Sequence, residues 1–221
     1  MPGVGFLPPA ISESAYGADR TKRIVIKELR KPVRHLAIGL LAAVALGVAA
    51  CGSSSSGGGS HPDYEKALAG SPARLAALHS QANQLLDGGV DAYKQRIAEL
   101  RGYPAVVNVW ASWCGPCRFE FPTFQQAAAR YGKRVAFLGV DSQDGDAAAE
   151  TFLRDNPVPY PSYTDPDEEI ADSIAGRGLP ATVFYDRDGE LVYFTYIPYE
   201  DASALSADIE RYALDVESES G

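Results

Sequence analysis

Between Pro72 and Asp87, apolar residues recur at helical spacing (Leu75, Leu78, Ala82, Leu85, Leu86) until Gly88-Gly89 stops the run. This pattern predicts a helix over 72–87. A second helix, Asp91 to Leu100, carries Tyr93, Ile97 and Leu100 on one face and ends before Gly102. Ala105 to Trp110 is apolar throughout except at Asn108, which predicts a central strand buried on both faces. A helix is expected to start at Cys114 and run to about Tyr131, followed by a buried strand from Arg134 to Val140 and a helix from Ala147 to Leu153. Pro161 to Thr164 reads as a short strand. Asp167 to Ala175 reads as a helix whose acidic first turn suits the helix dipole. Ala181 to Tyr185 and Leu191 to Ile197 are strands joined by the turn Asp186-Arg187-Asp188-Gly189, and Ala202 to Ala213 closes the chain as an amphipathic helix. Helices alternating with buried strands, then a hairpin and a helix, predict an α/β sandwich.

The front of the chain follows a different pattern. Lys22, Arg23, Lys27, Arg30, Lys31 and Arg34 precede an apolar run from Leu36 to Ala50. That run is shorter than the roughly 20 residues a membrane span needs, and with its basic flank it reads as a signal peptide over 1–50. The basic region is longer than such a leader needs, so a start at Val25 or Val33 is expected. Val48-Ala49-Ala50-Cys51 resembles the bacterial lipobox, and the resemblance implies cleavage before Cys51 and lipidation of its thiol. Gly52 to Ser60 is wholly Gly and Ser, the composition of a flexible tether. The expected organisation is a signal peptide over 1–50 and a lipidated cysteine with its tether over 51–71. An N-terminal helical segment over 72–101, a main domain over 102–216 and a disordered tail over 217–221 follow.

Charge separates the same two regions. Residues 1–50 carry seven Lys and Arg against three Asp and Glu, which leaves 13 basic and 26 acidic residues in 51–221, a net charge of −13. Phosphate repulsion by so acidic a body argues against nucleic acid as a partner.

Candidate chemistry centres on Cys114-Gly115-Pro116-Cys117. Zinc needs four ligands. His61 and His79 are isolated and Cys51 lies beyond the tether, so no metal site is expected. Haem attachment needs a histidine where Arg118 stands. The Pro-x-x-x-Thr-x-x-Cys pattern of peroxiredoxins is missing. A thiol at a helix N-terminus is stabilised as thiolate by free N–H groups and the helix dipole, so Cys114 is the expected nucleophile and Cys117, one turn on, the resolving thiol. Pro116 fits the first turn, where its missing N–H costs nothing, and Gly115 leaves room for a substrate chain.

Val106 to Cys117, with Trp113 before the first cysteine and Pro122 after the second, resembles the active-site strand and helix of thioredoxin-like proteins. Gly178-Leu179-Pro180-Ala181-Thr182 resembles the cis-proline loop of the same family. That resemblance implies a cis Pro180 beside the dithiol and a Leu179 backbone that pairs with substrate. The long stretch from Asp141 to Pro180, Asn108 in the buried strand and Glu120 after the second cysteine resemble the extracytoplasmic, membrane-tethered TlpA and ResA type. The fold implied is a thioredoxin-like three-layer α/β/α sandwich with a central αβ insertion. The resemblance also implies buried support from Asn108 and proton transfer for Cys117 by Glu120. The plain alternative for Glu120 is a surface carboxylate favourable to the helix dipole.

These residues lead to a protein-disulfide reductase with no cofactor. Its partners would be protein disulfide or dithiol substrates, the membrane through the lipid anchor, and a membrane electron donor of the DsbD/CcdA kind. Cytochrome c maturation is the family's common destination. A disulfide-forming oxidant and a non-catalytic lipoprotein chaperone or binding module are the alternatives.

Overall fold

The computed structural model describes residues 61–214, so the signal peptide, Cys51 and the tail expected over 217–221 lie outside the described residues. Asp63 accepts the Lys66 N–H and starts α1 (Tyr64–Leu68), inside the stretch expected to be tether. Here α2 (Ala73–His79) is shorter than predicted, because Leu85 and Leu86 leave the helix and form β1 (Leu85–Leu86). Segment 72–101 is therefore not wholly helical. After α3 (Gly89–Glu99) come β2 (Ala105–Trp110), α4 (Gly115–Tyr131), β3 (Ala136–Ser142), α5 (Asp146–Asp155) and β4 (Ser162–Asp165). Then α6 (Glu169–Ile174), β5 (Ala181–Tyr185), β6 (Leu191–Thr195) and α7 (Ala202–Asp208) follow, and a π-helical turn, Ile209–Ala213, completes the predicted last helix.

The strands form one six-stranded sheet in the order β1-β4-β3-β2-β5-β6. The first four of these run parallel, while β5 is antiparallel to β2 and to β6. Right-handed crossovers decide which face each helix covers. Stepping from β2 to β3 to β4 puts α4 and α5 on one face; the return step from β1 to β2 puts α3 on the other. Each strand then feeds two cores by alternation. Val106 and Trp110 of β2 join Phe121, Phe124, Phe152 and Leu205 on the α4 face, whereas Val107 and Val109 join Leu75, Tyr93, Ile97 and Ile170 on the α3 face. The expected three-layer α/β/α sandwich is the observed architecture, with α5 and β4 forming the inserted unit.

One close approach shapes the α4 face. A Cβ at Gly139 would lie 2.1 Å from Ser162 Oγ and 2.9 Å from the Trp110 indole nitrogen. Glycine there leaves space for Trp110 Nε1 to donate to Ser162 Oγ at 3.2 Å, which satisfies the one polar atom of a fully buried indole. No described helix is long and apolar enough to cross a membrane.

Candidate active site

Cys114 is the N-cap of α4, in extended backbone conformation, and its sulfur accepts the Cys117 N–H at 3.2 Å. The helix thus spends one of its free N–H groups on the first sulfur, which is the arrangement that stabilises a thiolate. The two cysteines are joined as a disulfide, with Cα atoms 5.3 Å apart. Cys117 is fully buried and Cys114 is 4% exposed, so attack from outside must come at Cys114. Pro116 lies in the first turn of α4, and a Cβ on Gly115 would meet nothing within 4 Å. The surface over the disulfide is therefore open, and Trp113 and Phe119 expose large apolar areas beside it.

The Leu179–Pro180 bond is cis. Ala181 pairs with Val109, which brings buried Pro180 level with the end of β2, where the dithiol loop begins. Leu179 is half-buried and packs against the cluster that contains both cysteines. The loop is held from behind by Tyr196: its hydroxyl donates to the Ala175 carbonyl, and its ring sits where a Cβ on Gly178 would be only 2.6 Å away.

Behind the dithiol, Glu120 follows Cys117 by nearly one turn and is fully buried. The surface-carboxylate alternative therefore does not hold. Glu120 Oε2 accepts the Tyr199 N–H at 3.1 Å, while Oε1 has no partner. Burial pushes the carboxyl up to about 8, against the opposing pull of the Tyr199 N–H. Tyr160 is buried in the same core with its hydroxyl unpartnered. Asn108 lies on the α4 face, between Gly139 of β3 and Thr182 of β5, and neither atom of its amide finds a partner. It cannot ionise, so Glu120 is the carboxyl of this core closest in sequence to Cys117.

The front of the site is held by residues that the sequence pattern did not single out as functional. Asp144 Oδ2 accepts the Ser112 N–H, Trp113 Nε1 donates to the Gln143 carbonyl at 2.8 Å, and Arg118 donates to the Ser112 carbonyl at 3.0 Å. Gln143 and Asp144 follow β3 at its C-terminal end, the end of an open α/β sheet where sites gather, and that placement is the signal that could have found them; Arg118 lies in the first turns of α4. Tyr199 contributes only a backbone N–H and leaves no trace in side-chain chemistry. Among the described residues, no group of His, Cys, Asp or Glu is arranged to hold a metal ion.

The chain is similar in sequence to known proteins. The chain is 39% identical over 93 residues to the thiol:disulfide interchange protein DsbE of Pseudomonas fluorescens biotype C, covering 42% of this chain and 51% of that protein. It is 25% identical over 104 residues to the thiol-disulfide oxidoreductase ResA of Bacillus anthracis, covering 47% of this chain and 60% of that one. The chain thus spans about half the length of the DsbE relatives it matches. A solved structure of a secreted Mycobacterium tuberculosis disulfide oxidoreductase, described as homologous to Escherichia coli DsbE, is 29% identical with a TM-score of 0.47, covering 52% of this chain and 85% of that one. Residues 79–194, more than half of the 221-residue chain, match the AhpC/TSA family, and the chain belongs to that family.

Proposed function

We propose that this protein is a thiol–disulfide oxidoreductase that reduces protein disulfides outside the cytoplasm, held at the membrane by lipid on Cys51. The observation that carries the reading is the Cys114–Cys117 disulfide at the N-cap of α4, sealed behind by buried Glu120 and open in front. In the reduced protein the Cys114 thiolate attacks one sulfur of a substrate disulfide, forming a mixed disulfide and expelling the other sulfur as thiolate. Cys117 loses its proton to Glu120 and attacks Cys114 Sγ, which closes the Cys114–Cys117 bond and releases the second substrate thiolate. Two electrons pass to the substrate. They must be restored by a dithiol donor, a role for a membrane protein of the DsbD/CcdA kind. A carboxyl pushed up to about 8 suits such an exchange near neutral pH.

Substrate is expected to lie as an extended segment over Gly115, pairing with the backbone of Leu179 beside Pro180 and touching Trp113. The Gly-Pro pair between the cysteines is that of thioredoxin, whose potential of about −270 mV contrasts with about −120 mV for a strong oxidant, and this favours the reducing direction. Cytochrome c maturation, where haem attachment needs reduced cysteines, is the proposed destination.

Reduction of insulin by dithiothreitol, followed by turbidity, tests the activity. Wild type accelerates precipitation and Cys114→Ser does not; equal rates in the two would remove the enzymatic reading. Retention of Cys51→Ser at the membrane would remove the lipid anchor.

A further inference from the structure

Asp141 is the next-to-last residue of β3. Alternation along the strand (Phe137, Gly139, Asp141) turns it to the α4 face, and its register partner is Trp110, the last residue of the strand that leads into the dithiol loop. The residue is 2% exposed, and its Oδ1 has no hydrogen-bond partner. Its carboxyl lies within hydrogen-bond reach of the Asp144 carboxyl. Asp144 is fully engaged on its other side: Oδ2 accepts the Ser112 N–H, and Oδ1 accepts the Gly145 N–H at 2.9 Å.

The residue between Ser142 and Asp144 holds the neighbouring point of the same loop. Gln143 sits in the left-handed region at φ 57, with its N–H on the Asp165 carbonyl at 3.1 Å and its amide on Glu168 at 2.7 Å. Its carbonyl receives the Trp113 indole. The segment after β3 therefore grips two successive residues of the dithiol loop, Ser112 by its backbone and Trp113 by its ring.

Two carboxylates in contact, one of them buried with an orphan oxygen, cannot both hold a charge cheaply. One proton between them removes the repulsion and makes a strong charge-assisted bond. Nothing nearby offers compensation: Asp144 and Asp146 on the following loop and α5, and Asp165 at the end of β4, are all acidic, and Arg118 of α4 is committed to the Ser112 carbonyl. Burial and these acidic neighbours push Asp141 up to about 8.

We propose that Asp141 and Asp144 share one proton as a positioning pair, which fixes Ser112 and Trp113 before Cys114 while the proton is present and frees them when it leaves. Asp141 acts through Asp144 and touches neither sulfur nor substrate. The inference rests on reading Cys114 as the reacting thiol only for its consequence: the loop that presents the nucleophile is tight in neutral and mildly acidic surroundings and loosens in alkaline ones.

Acrylamide quenching of tryptophan fluorescence in the oxidised full-length protein reads the loop directly. Trp113 is 59% exposed and Trp110 only 1%, so the quenchable signal belongs to Trp113. In wild type, quenching rises through a single one-proton step centred near pH 8. Asp141→Asn keeps the shape and a neutral donor, and the step disappears, with quenching held at its low-pH level. Asp144→Asn keeps an acceptor for Ser112 but removes the facing charge, and the midpoint falls by about one pH unit or more. A step that persists unmoved in Asp141→Asn, or a midpoint unmoved in Asp144→Asn, overturns the proposal. Should Asp141→Asn not fold, the Asp144→Asn midpoint decides. Since no turnover is measured, an inactive wild type with this titration would sink the proposed activity and leave the positioning pair standing.

Discussion

The two faces of the sheet handle buried polarity in opposite ways. On the α3 face the buried hydroxyls find partners: Tyr93 donates to Tyr185 at 3.0 Å, and the Tyr163 hydroxyl accepts from Arg96 at 3.2 Å. On the α4 face Asn108, Glu120, Asp141 and Tyr160 each leave a buried atom unpaired, and Gln81 Oε1, just after α2, is unpaired outside both cores. An unpaired buried polar group costs about 1–3 kcal/mol, so one face is built for stability and the other carries a deficit. The deficit lies on the face that carries the dithiol. Folding free energy is given up on that face, and the paired face makes up for it.

The largest expected effect follows from the carboxyls. Glu120 and Asp141 have pKa values raised from 4.5 and 3.8 to about 8, so the folded state binds protons that the unfolded state has already lost. Their contribution is least costly below the unfolded values, and stability falls as pH rises towards about 8. Urea unfolding at a series of pH values should show this decline, and Glu120→Gln should remove about half of it. A flat profile in wild type would break the contrast between the faces.

Replacing an orphan with an apolar group of similar shape comes next. Asn108→Leu should stabilise the protein by about 1–2 kcal/mol, because two unsatisfied atoms vanish and the volume is kept. The same change should slow insulin reduction if the amide supports the dithiol. Tyr160→Phe is expected to stabilise by about 1 kcal/mol, for one orphan hydroxyl. On the α3 face the sign reverses: Tyr93→Phe strands the Tyr185 hydroxyl and should cost about 1 kcal/mol. Thermal melts of these three variants, run side by side, sharpen the comparison; a stabilising Tyr93→Phe would undo it.

Much of this arrangement was legible in the chain because it depends on neighbours in sequence. A short apolar run broken only at Asn108 predicts a buried strand, and β2 runs over Ala105–Trp110 as expected. The dithiol and Pro116 at the start of α4 also stand where the sequence placed them, and the Leu179–Pro180 bond is cis as the family resemblance implied. What escaped depends on partners far away. Leu85 and Leu86 suit a helix face equally well and become a strand only because β4 offers a parallel edge, pairing them with Ser162 and Tyr163. The acidic stretch after β3 reads as the start of a helix. Its grip on Ser112 and Trp113 exists only once β3 lies beside β2. Burial of Glu120 likewise requires the segment carrying Tyr199, 79 residues on.

That last contact gives the molecule an internal reporter. The N–H of Tyr199 rests on the Glu120 carboxyl, and the Tyr199 hydroxyl is tied to Asp208 of α7 at 2.6 Å. An amide bonds more strongly to a carboxylate than to a neutral acid. Each time Glu120 gives up its proton, the Tyr199 amide should become more protected from hydrogen exchange, and each time the proton returns it should become less so. A backbone position remote in sequence from the cysteines would thus register, in exchange rate and amide chemical shift, the proton traffic behind them.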